Sequence, residues 1–150
     1  MRGRLCTLLL GIALVPGMAV AQNGAPQMAV TAPDGSPVQW SRLLEQHGPV
    51  AVLFWASWAP RGRSTLASCG RMREAARKRG LELLIVDVQE SLPDARYALS
   101  NSGIPWVHDR YGRLLRRYRV LRIPRLLVIA KDGGVTARLE PRAEALEGKP

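Results

Sequence analysis

Two runs of apolar residues, separated by a helix-like pattern, predict the start of an α/β fold. Residues 50–55 are apolar at every position, which is typical of a central strand covered on both faces, and residues 81–88, apolar except for Glu82 and Asp87, predict a second buried strand. Between them, Leu66, Cys69 and Met72 recur at three-residue spacing, as on one face of a helix. A strand, a helix and a second strand in this order predict a parallel sheet.

The second half of the chain predicts a β-hairpin. Residues 126–129 are an apolar run, residues 131–134 form a glycine-rich connection, and the apolar positions of residues 135–139 alternate with polar ones. The remaining signals are a short helix capped by Ser41, a helix opened by Pro93 and a turn at residues 109–112. All of this fits one ordinary domain.

The first 21 residues are typical of a secretory signal peptide. Arg2 and Arg4 precede an apolar run over residues 5–15, and small residues follow up to Ala21, where we expect cleavage. The run is shorter than the roughly 20 residues that span a bilayer, so an uncleaved membrane anchor is the weaker alternative. No later segment is expected to cross a membrane. We expect residues 22–29 to be a flexible tether and residues 30–150 to be the folded domain.

The chain is strongly basic, and arginine accounts for most of the basic charge. Its formal net charge is +10, and 47% of its 150 residues are hydrophobic, which suits a globular protein. Such a charge attracts polyanions without specifying one. Export and the lack of stacking aromatics, beyond Tyr111 and Tyr118, argue against nucleic acid. Anionic groups of the cell envelope are the more credible charged partners.

The cysteine count limits the redox chemistry. Cys6 lies in the leader, so the mature chain keeps Cys69 alone and cannot close an internal disulfide. Cys69 lies on the predicted apolar helix face, which favours core packing over a reactive thiol. His47 and His108 have no ligand at metal-binding spacing, and Asp87 with Glu90 predicts no acid–base pair, so we expect neither a metal nor a cofactor.

Three motifs in chain order carry a family resemblance. They are the loop Trp-Ala-Ser-Trp-Ala-Pro-Arg-Gly at residues 55–62 after the first strand, the turn at residues 109–112, and the segment from Tyr118 to Ile123-Pro124 before the hairpin. The chain thereby resembles the thioredoxin superfamily, in particular its TlpA/ResA-like exported branch, over about residues 30–139. The resemblance implies a mixed sheet of four or five strands flanked by helices, with the C-terminal helix shortened to residues 140–147.

The same resemblance identifies what this sequence lacks. The branch carries its two cysteines at the positions of Ala59 and Gly62. Thiol–disulfide exchange needs one thiolate to attack and a second thiol to resolve the mixed disulfide, so we expect no exchange by this route. Thr65 and Ala67 replace a glutamate and a kinking proline, so we also expect a regular helix after the loop.

The surface around the loop is the expected binding site. By resemblance, Pro124 follows a cis peptide bond and Ile123 offers its backbone to an extended peptide. Clustered guanidinium groups beside the helix start would suit an anion or an acidic peptide. The expected binding residues are Trp58, Pro60, Arg61, Arg63, Ile123, Pro124 and Arg125.

The sequence therefore predicts an exported thioredoxin-like protein that is redox-inactive and binds a protein or peptide through the former active-site surface. One alternative is a thiol–disulfide oxidoreductase, or an accessory to one, that works through mixed disulfides of Cys69. A second alternative is a structural subunit of an envelope or secretion assembly.

Overall fold

The structure, a computed structural model, describes residues 27–148 and contains a mixed sheet of seven strands within that range. The strands lie in the order β2-β1-β5-β4-β3-β6-β7 across the sheet. In chain order they are β1 (Ala29–Thr31), β2 (Pro37–Gln39), β3 (Val50–Trp55), β4 (Glu82–Val88), β5 (Trp106–Asp109), β6 (Arg125–Ile129) and β7 (Val135–Leu139). The helices are α1 (Trp40–His47), α2 (Gly62–Ala67), α3 (Cys69–Arg77), α4 (Leu92–Leu99), α5 (Arg113–Arg117) and α6 (Ala143–Leu146).

The centre of the sheet has the predicted parallel arrangement. Strand β3 pairs in parallel with β4, and β4 pairs in parallel with β5. On the other side of β3, strands β6 and β7 form the predicted antiparallel hairpin. The mixed sheet flanked by helices, and the short C-terminal helix α6, agree with the expected fold.

Both faces of the sheet are covered, as the continuous apolar runs predict. Along β3, Val52 and Phe54 belong to one hydrophobic core, and Leu53 and Trp55 belong to the other. Helices α1 and α5 contribute buried side chains to the first core, whereas α3, α4 and α6 contribute to the second. Because successive side chains of a strand point to opposite faces, the side chains of β3 alternate between the two cores.

The sheet has three strands that the sequence pattern did not predict, β1, β2 and β5, all on the side of β4 that faces away from β3. Strands β1 and β2 are three residues long and pair antiparallel, which is too short for a clear alternation pattern. Strand β5 is the third parallel strand, beside β4, and with β1 and β2 it brings the sheet to seven strands, so the expected count of four or five was too low. Ala29, which we expected in the tether, begins β1. The leader and residues 22–26 lie outside the described residues.

The expected regular helix after the loop is interrupted at Ser68, so this prediction was wrong. The carbonyl oxygen of Thr65 accepts hydrogen bonds from the backbone N–H of Ser68 at 3.0 Å and from its hydroxyl at 2.8 Å. The Sγ atom of Cys69 also lies 3.5 Å from this oxygen. A serine hydroxyl that bonds back to the preceding turn competes with the helical pattern, so α2 and α3 are separate helices without a proline.

The segment predicted only as a turn at residues 109–112 also starts a helix. The Asp109 carboxylate accepts hydrogen bonds from the backbone N–H groups of Arg113 at 2.8 Å, Leu114 at 2.9 Å and Leu115 at 3.2 Å. These N–H groups open α5 and have no partner within the helix. Part of the arginine-rich stretch after residue 109 is therefore helical surface. No helix within residues 27–148 is long and apolar enough to cross a membrane.

Candidate functional site

The loop between β3 and α2 is closed by its own backbone. The N–H of Gly62 donates to the carbonyl oxygen of Ala59 at 2.8 Å, and the indole N–H of Trp55 donates to the Gly62 carbonyl at 2.7 Å. A β-carbon placed on Gly62 would lie 2.6 Å from the carbonyl oxygen of Ala56. Because that neighbour is backbone, the loop has no room for a side chain at position 62.

The residues before Gly62 differ in how far they are exposed to solvent. Ala59 is buried, whereas Trp58 is 55% exposed. Arg61 has a positive φ of 62°, which turns the chain into α2 and leaves its side chain exposed. The loop therefore exposes an indole and a guanidinium group beside Ala59 and Gly62, the two positions at which the resemblance implies cysteine.

An exposed groove of about 280 Å³ runs beside Trp58. Its lining is mainly apolar, and Leu121 on its wall is 96% exposed. We call this the apolar groove; it is formed by Trp58, Pro60, Leu115, Val120, Leu121 and Ile123, with Gln89 and Arg122 at its edge. An exposed aromatic beside exposed aliphatic side chains is typical of an interaction surface.

A second, larger groove of about 640 Å³ lies on the other side of Ile123. Five of its lining residues are arginines and one is glutamate. We call this the arginine groove; its charged residues are Arg61, Arg71, Arg122, Arg125, Arg142 and Glu140. The guanidinium of Arg125 donates to the Glu140 carboxylate at 2.6 Å, which leaves four guanidinium groups without an acidic partner among the described residues.

The structure therefore places the predicted binding residues in two adjoining grooves, with one exception. Pro60 and Ile123 line both grooves, and Pro124 lies in the arginine groove with Arg61 and Arg125. Arg63 is exposed and lines neither groove. It points elsewhere because it follows Arg61 by two positions, and residues two apart do not share a helix face.

Sequence reasoning missed three arginines of the groove. Arg71 reaches it from α3, Arg122 from the segment before Pro124, and Arg142 from the turn before α6. Their signal in the sequence was only a general abundance of arginine. The fold, by bringing three distant segments together, is what makes them a cluster.

The segment between the two grooves has free backbone groups. The Ile123–Pro124 peptide bond is cis. Strand β6 begins after it, at Arg125, and among the described residues no hydrogen bond occupies the N–H or the C=O of Ile123. Ile123 is only partly buried, so both groups are available to an added strand.

Cys69 lines neither groove, and its side chain is buried in the hydrophobic core with Met72. It is 1% exposed, and burial raises the pKa of its thiol to about 11. The thiolate is the nucleophile in disulfide exchange, so a buried thiol that keeps its proton at neutral pH is a poor one.

A buried polar pair lies between β4 and β5 and was not expected from the sequence. Asp87 and His108 face each other in register, with Oδ2 of Asp87 2.7 Å from Nδ1 of His108. Burial, with the neighbouring Glu90 carboxyl, raises the pKa of Asp87 to about 9, and burial lowers the pKa of His108. Burial disfavours a net charge on the pair, so at pH 7 the two side chains together retain one proton, which the short hydrogen bond places between the carboxyl group and the imidazole.

In the sequence, Asp87 is a polar residue within the apolar run of residues 81–88, whereas His108 lies in a segment whose pattern predicted no strand. Oδ1 of Asp87 and Nε2 of His108 are buried and have no hydrogen-bond partner in the described structure. Asp87 is also in register with Trp55, so the pair lies near the loop end of the sheet. Glu90, which neighbours Asp87, contacts the loop directly. Its carboxylate accepts hydrogen bonds from the N–H of Ser57 at 3.1 Å and from the Ser57 hydroxyl.

The other histidine is a surface residue. Nδ1 of His47 lies 3.0 Å from the Glu82 carboxylate, and both side chains are about half exposed or more. Within residues 27–148 no three histidine, cysteine, aspartate or glutamate side chains group closely enough to hold a metal ion.

Comparison with solved structures defines the class of the fold. A thiol-disulfide oxidoreductase from Bacteroides fragilis superposes with a TM-score of 0.66 and 21% identity, covering 83% of this chain and 95% of that one. A thioredoxin-family thiol:disulfide interchange protein from Chlorobium tepidum gives a TM-score of 0.60 and 25% identity, with 83% and 91% covered. A secreted disulfide oxidoreductase of Mycobacterium tuberculosis gives 0.61 and 19%, with 87% and 96% covered. No protein-family model matches the chain, and comparison with curated proteins gives no match.

The chain therefore has a thioredoxin-like α/β fold, as the motifs predict. The solved proteins that share this fold include several described as thiol:disulfide interchange proteins. In this chain the loop after β3 carries Ala59 and Gly62.

Proposed function

We propose that this is an exported thioredoxin-like protein that performs no thiol–disulfide exchange and binds a protein or peptide through the surface formed by the two grooves. One observation carries the proposal. The loop after β3 keeps an exposed Trp58 beside the free backbone of Ile123, while Ala59 and Gly62 supply no sulfur.

The loop geometry supports redox inactivity beyond the missing sulfur atoms. Exchange needs an attacking and a resolving thiol within reach of each other. At position 62 even a β-carbon would approach the Ala56 carbonyl to 2.6 Å. The only cysteine among the described residues, Cys69, is buried, and its raised pKa keeps it protonated. The mixed-disulfide alternative therefore has less support than binding.

The apolar groove supports binding on energetic grounds. Trp58 and Leu121 are exposed to water. Burying a large apolar side chain is favourable by about 1.5–3 kcal/mol. A partner that covers them recovers that free energy. An extended segment can add main-chain hydrogen bonds to the N–H and C=O of Ile123, so both affinity and direction are available.

We also propose that the protein acts outside the cytoplasm. The leader-like residues 1–21 carry this proposal. One solved protein of similar fold is described as secreted. The expected partner is then a protein or peptide of the cell envelope, and a stable stoichiometric complex on purification would favour the structural-subunit alternative.

The test separates binding from catalysis. Peptides selected from a random display library against the wild-type protein are measured again with Leu121→Asp and with the control Tyr97→Asp, whose tyrosine is 87% exposed on α4. We expect Leu121→Asp to weaken binding by about tenfold or more and Tyr97→Asp to leave it unchanged. Failure to select any binder, or equal binding by both variants, would contradict the proposal. Insulin reduction with ordinary turnover would contradict its redox half.

A further inference from the structure

We propose that the partner segment is an extended peptide with one large apolar side chain followed closely by acidic residues. This inference rests on the proposed function and specifies its ligand. The apolar groove takes the apolar anchor, the backbone of Ile123 pairs with the peptide main chain, and the arginine groove takes the carboxylates.

The charges of the arginine groove carry the acidic half of the inference. It holds five guanidinium groups and one carboxylate, so its local charge is about +4. Glu140 already pairs with Arg125. The guanidinium groups of Arg61, Arg122 and Arg142 have no hydrogen-bonded or ionic partner among the described residues, so a carboxylate that enters meets unpaired donors. Arginine binds carboxylates in a planar, two-bonded geometry, which makes it specific for them.

The position of Ile123 determines how closely the apolar anchor and the acidic residues of the peptide follow each other. Pro60, Arg122 and Ile123 line both grooves, so the grooves adjoin at this segment. A peptide paired with Ile123 in extended form advances about 3.3 Å per residue. We therefore expect the first carboxylate within about four residues of the anchor, and an anchor alone or a carboxylate alone to fill only half of the surface.

Glu140 gives the inference a gain-of-binding test. Its carboxylate holds Arg125 at 2.6 Å and is itself largely exposed on the groove wall. A peptide carboxylate has to compete with it. Glu140→Gln removes that competitor and raises the local charge, so an acidic peptide should bind several-fold more tightly, whereas a neutral peptide should be unaffected.

The experiment uses three labelled peptides of one length with the purified protein. The first carries a leucine followed by two glutamates, the second has glutamines in place of the glutamates, and the third has serine in place of the leucine. Fluorescence anisotropy at low and high salt gives each dissociation constant. We expect the first peptide to bind about tenfold more tightly than either of the others, with the advantage over the glutamine peptide shrinking at high salt.

Charge-reversal variants locate the effect. Arg122→Glu with Arg142→Glu should remove the preference for the glutamate peptide over the glutamine peptide. The matched control, Arg42→Glu with Arg117→Glu, changes the net charge equally at exposed arginines outside both grooves and should retain the preference.

The outcomes distinguish this inference from the function on which it rests. Equal binding of the glutamate and glutamine peptides, both lost in Leu121→Asp, would overturn the acidic preference and leave peptide binding standing. Equal binding of the leucine and serine peptides, or equally effective competition by inorganic polyphosphate, would show a general polyanion site and overturn the inference. Binding unaffected by Leu121→Asp and by the arginine reversals would overturn both.

Discussion

The buried Asp87–His108 pair predicts an unusual dependence of stability on pH, which the variant Asp87→Asn should abolish. In the folded protein the two side chains share a 2.7 Å hydrogen bond away from water. In the unfolded chain each is solvated and titrates near its ordinary value, about 3.9 for aspartate and 6.5 for histidine. Folding therefore changes proton binding at both residues, in opposite directions.

The raised pKa of Asp87 makes the folded state hold a proton that the unfolded state releases. A group with a raised folded pKa stabilises the fold fully below its unfolded pKa, and that contribution falls as pH rises toward the folded value of about 9. The lowered pKa of His108 acts oppositely below pH 6.5, where the unfolded chain holds the proton. Below about pH 6.5 the two effects oppose each other, and above it Asp87 acts alone.

The magnitude follows from the linkage between protons and folding. Each proton of difference changes the free energy of unfolding by about 1.4 kcal/mol per pH unit. From pH 6.5 to pH 9 the wild-type protein should lose about 3 kcal/mol. That is a large fraction of the 5–15 kcal/mol by which domains of this size are stable, so the effect is measurable. Asp87→Asn retains a hydrogen-bonding amide without a titrating proton, so this decline should disappear.

Urea unfolding followed by tryptophan fluorescence, at a series of pH values from 6.5 to 9, measures the effect directly. The difference between the wild-type protein and Asp87→Asn cancels the titration of other groups, such as the Cys69 thiol. Parallel curves for the two proteins, or a wild-type stability that rises with pH in this range, would show that the folded pair does not retain the extra proton and would refute the reasoning.

Three further predictions concern the core and the loop. Native Cys69 should resist thiol reagents, because with a pKa of about 11 only about one molecule in a thousand is thiolate at pH 8. In denaturant the same thiol should react fully. Rapid labelling of the native protein would support the mixed-disulfide alternative. Gly62→Ala should cost about 1–3 kcal/mol in urea unfolding because its β-carbon meets the Ala56 carbonyl; unchanged stability would mean that the loop has room. Tyr118→Phe should lower the free energy of unfolding by about 1–3 kcal/mol. The buried indole N–H of Trp40 donates to the tyrosine oxygen at 2.8 Å, and the substitution leaves this N–H without an acceptor. An unchanged free energy of unfolding would contradict that role.

The elements that the sequence predicted well are those whose pattern matches their burial. Strand β3 is buried at all six positions, so its unbroken apolar run was informative. Helix α5 was missed because its first turn depends on the carboxylate of Asp109, which in the sequence indicates a turn equally well. The break at Ser68 was missed because the resemblance drew attention to a proline, whereas a hydroxyl interrupts the helix here.

The candidate site was predictable only where its residues lie near recognisable motifs. Trp58 and Arg61 lie within the loop and Arg125 directly follows Pro124, and all three line the grooves. Arg142 has no motif beside it, and only the turn before α6 brings it to the groove. Asp87 and His108 are 21 residues apart, and their pairing depends on the register of β4 against β5, which the sequence does not state.

The way the loop is fixed bears on why this surface suits binding. The loop is held at its start by the Ser57–Glu90 hydrogen bonds and at its end by the bond from the Trp55 indole to Gly62. Trp58 lies between these two anchors and is therefore presented in a defined position without any cross-link. A surface that is already ordered loses less conformational entropy when a partner binds, so more of the burial energy of Trp58 contributes to affinity. The packing of Gly62 against the Ala56 carbonyl, which leaves no space for a cysteine, is part of the same fixation.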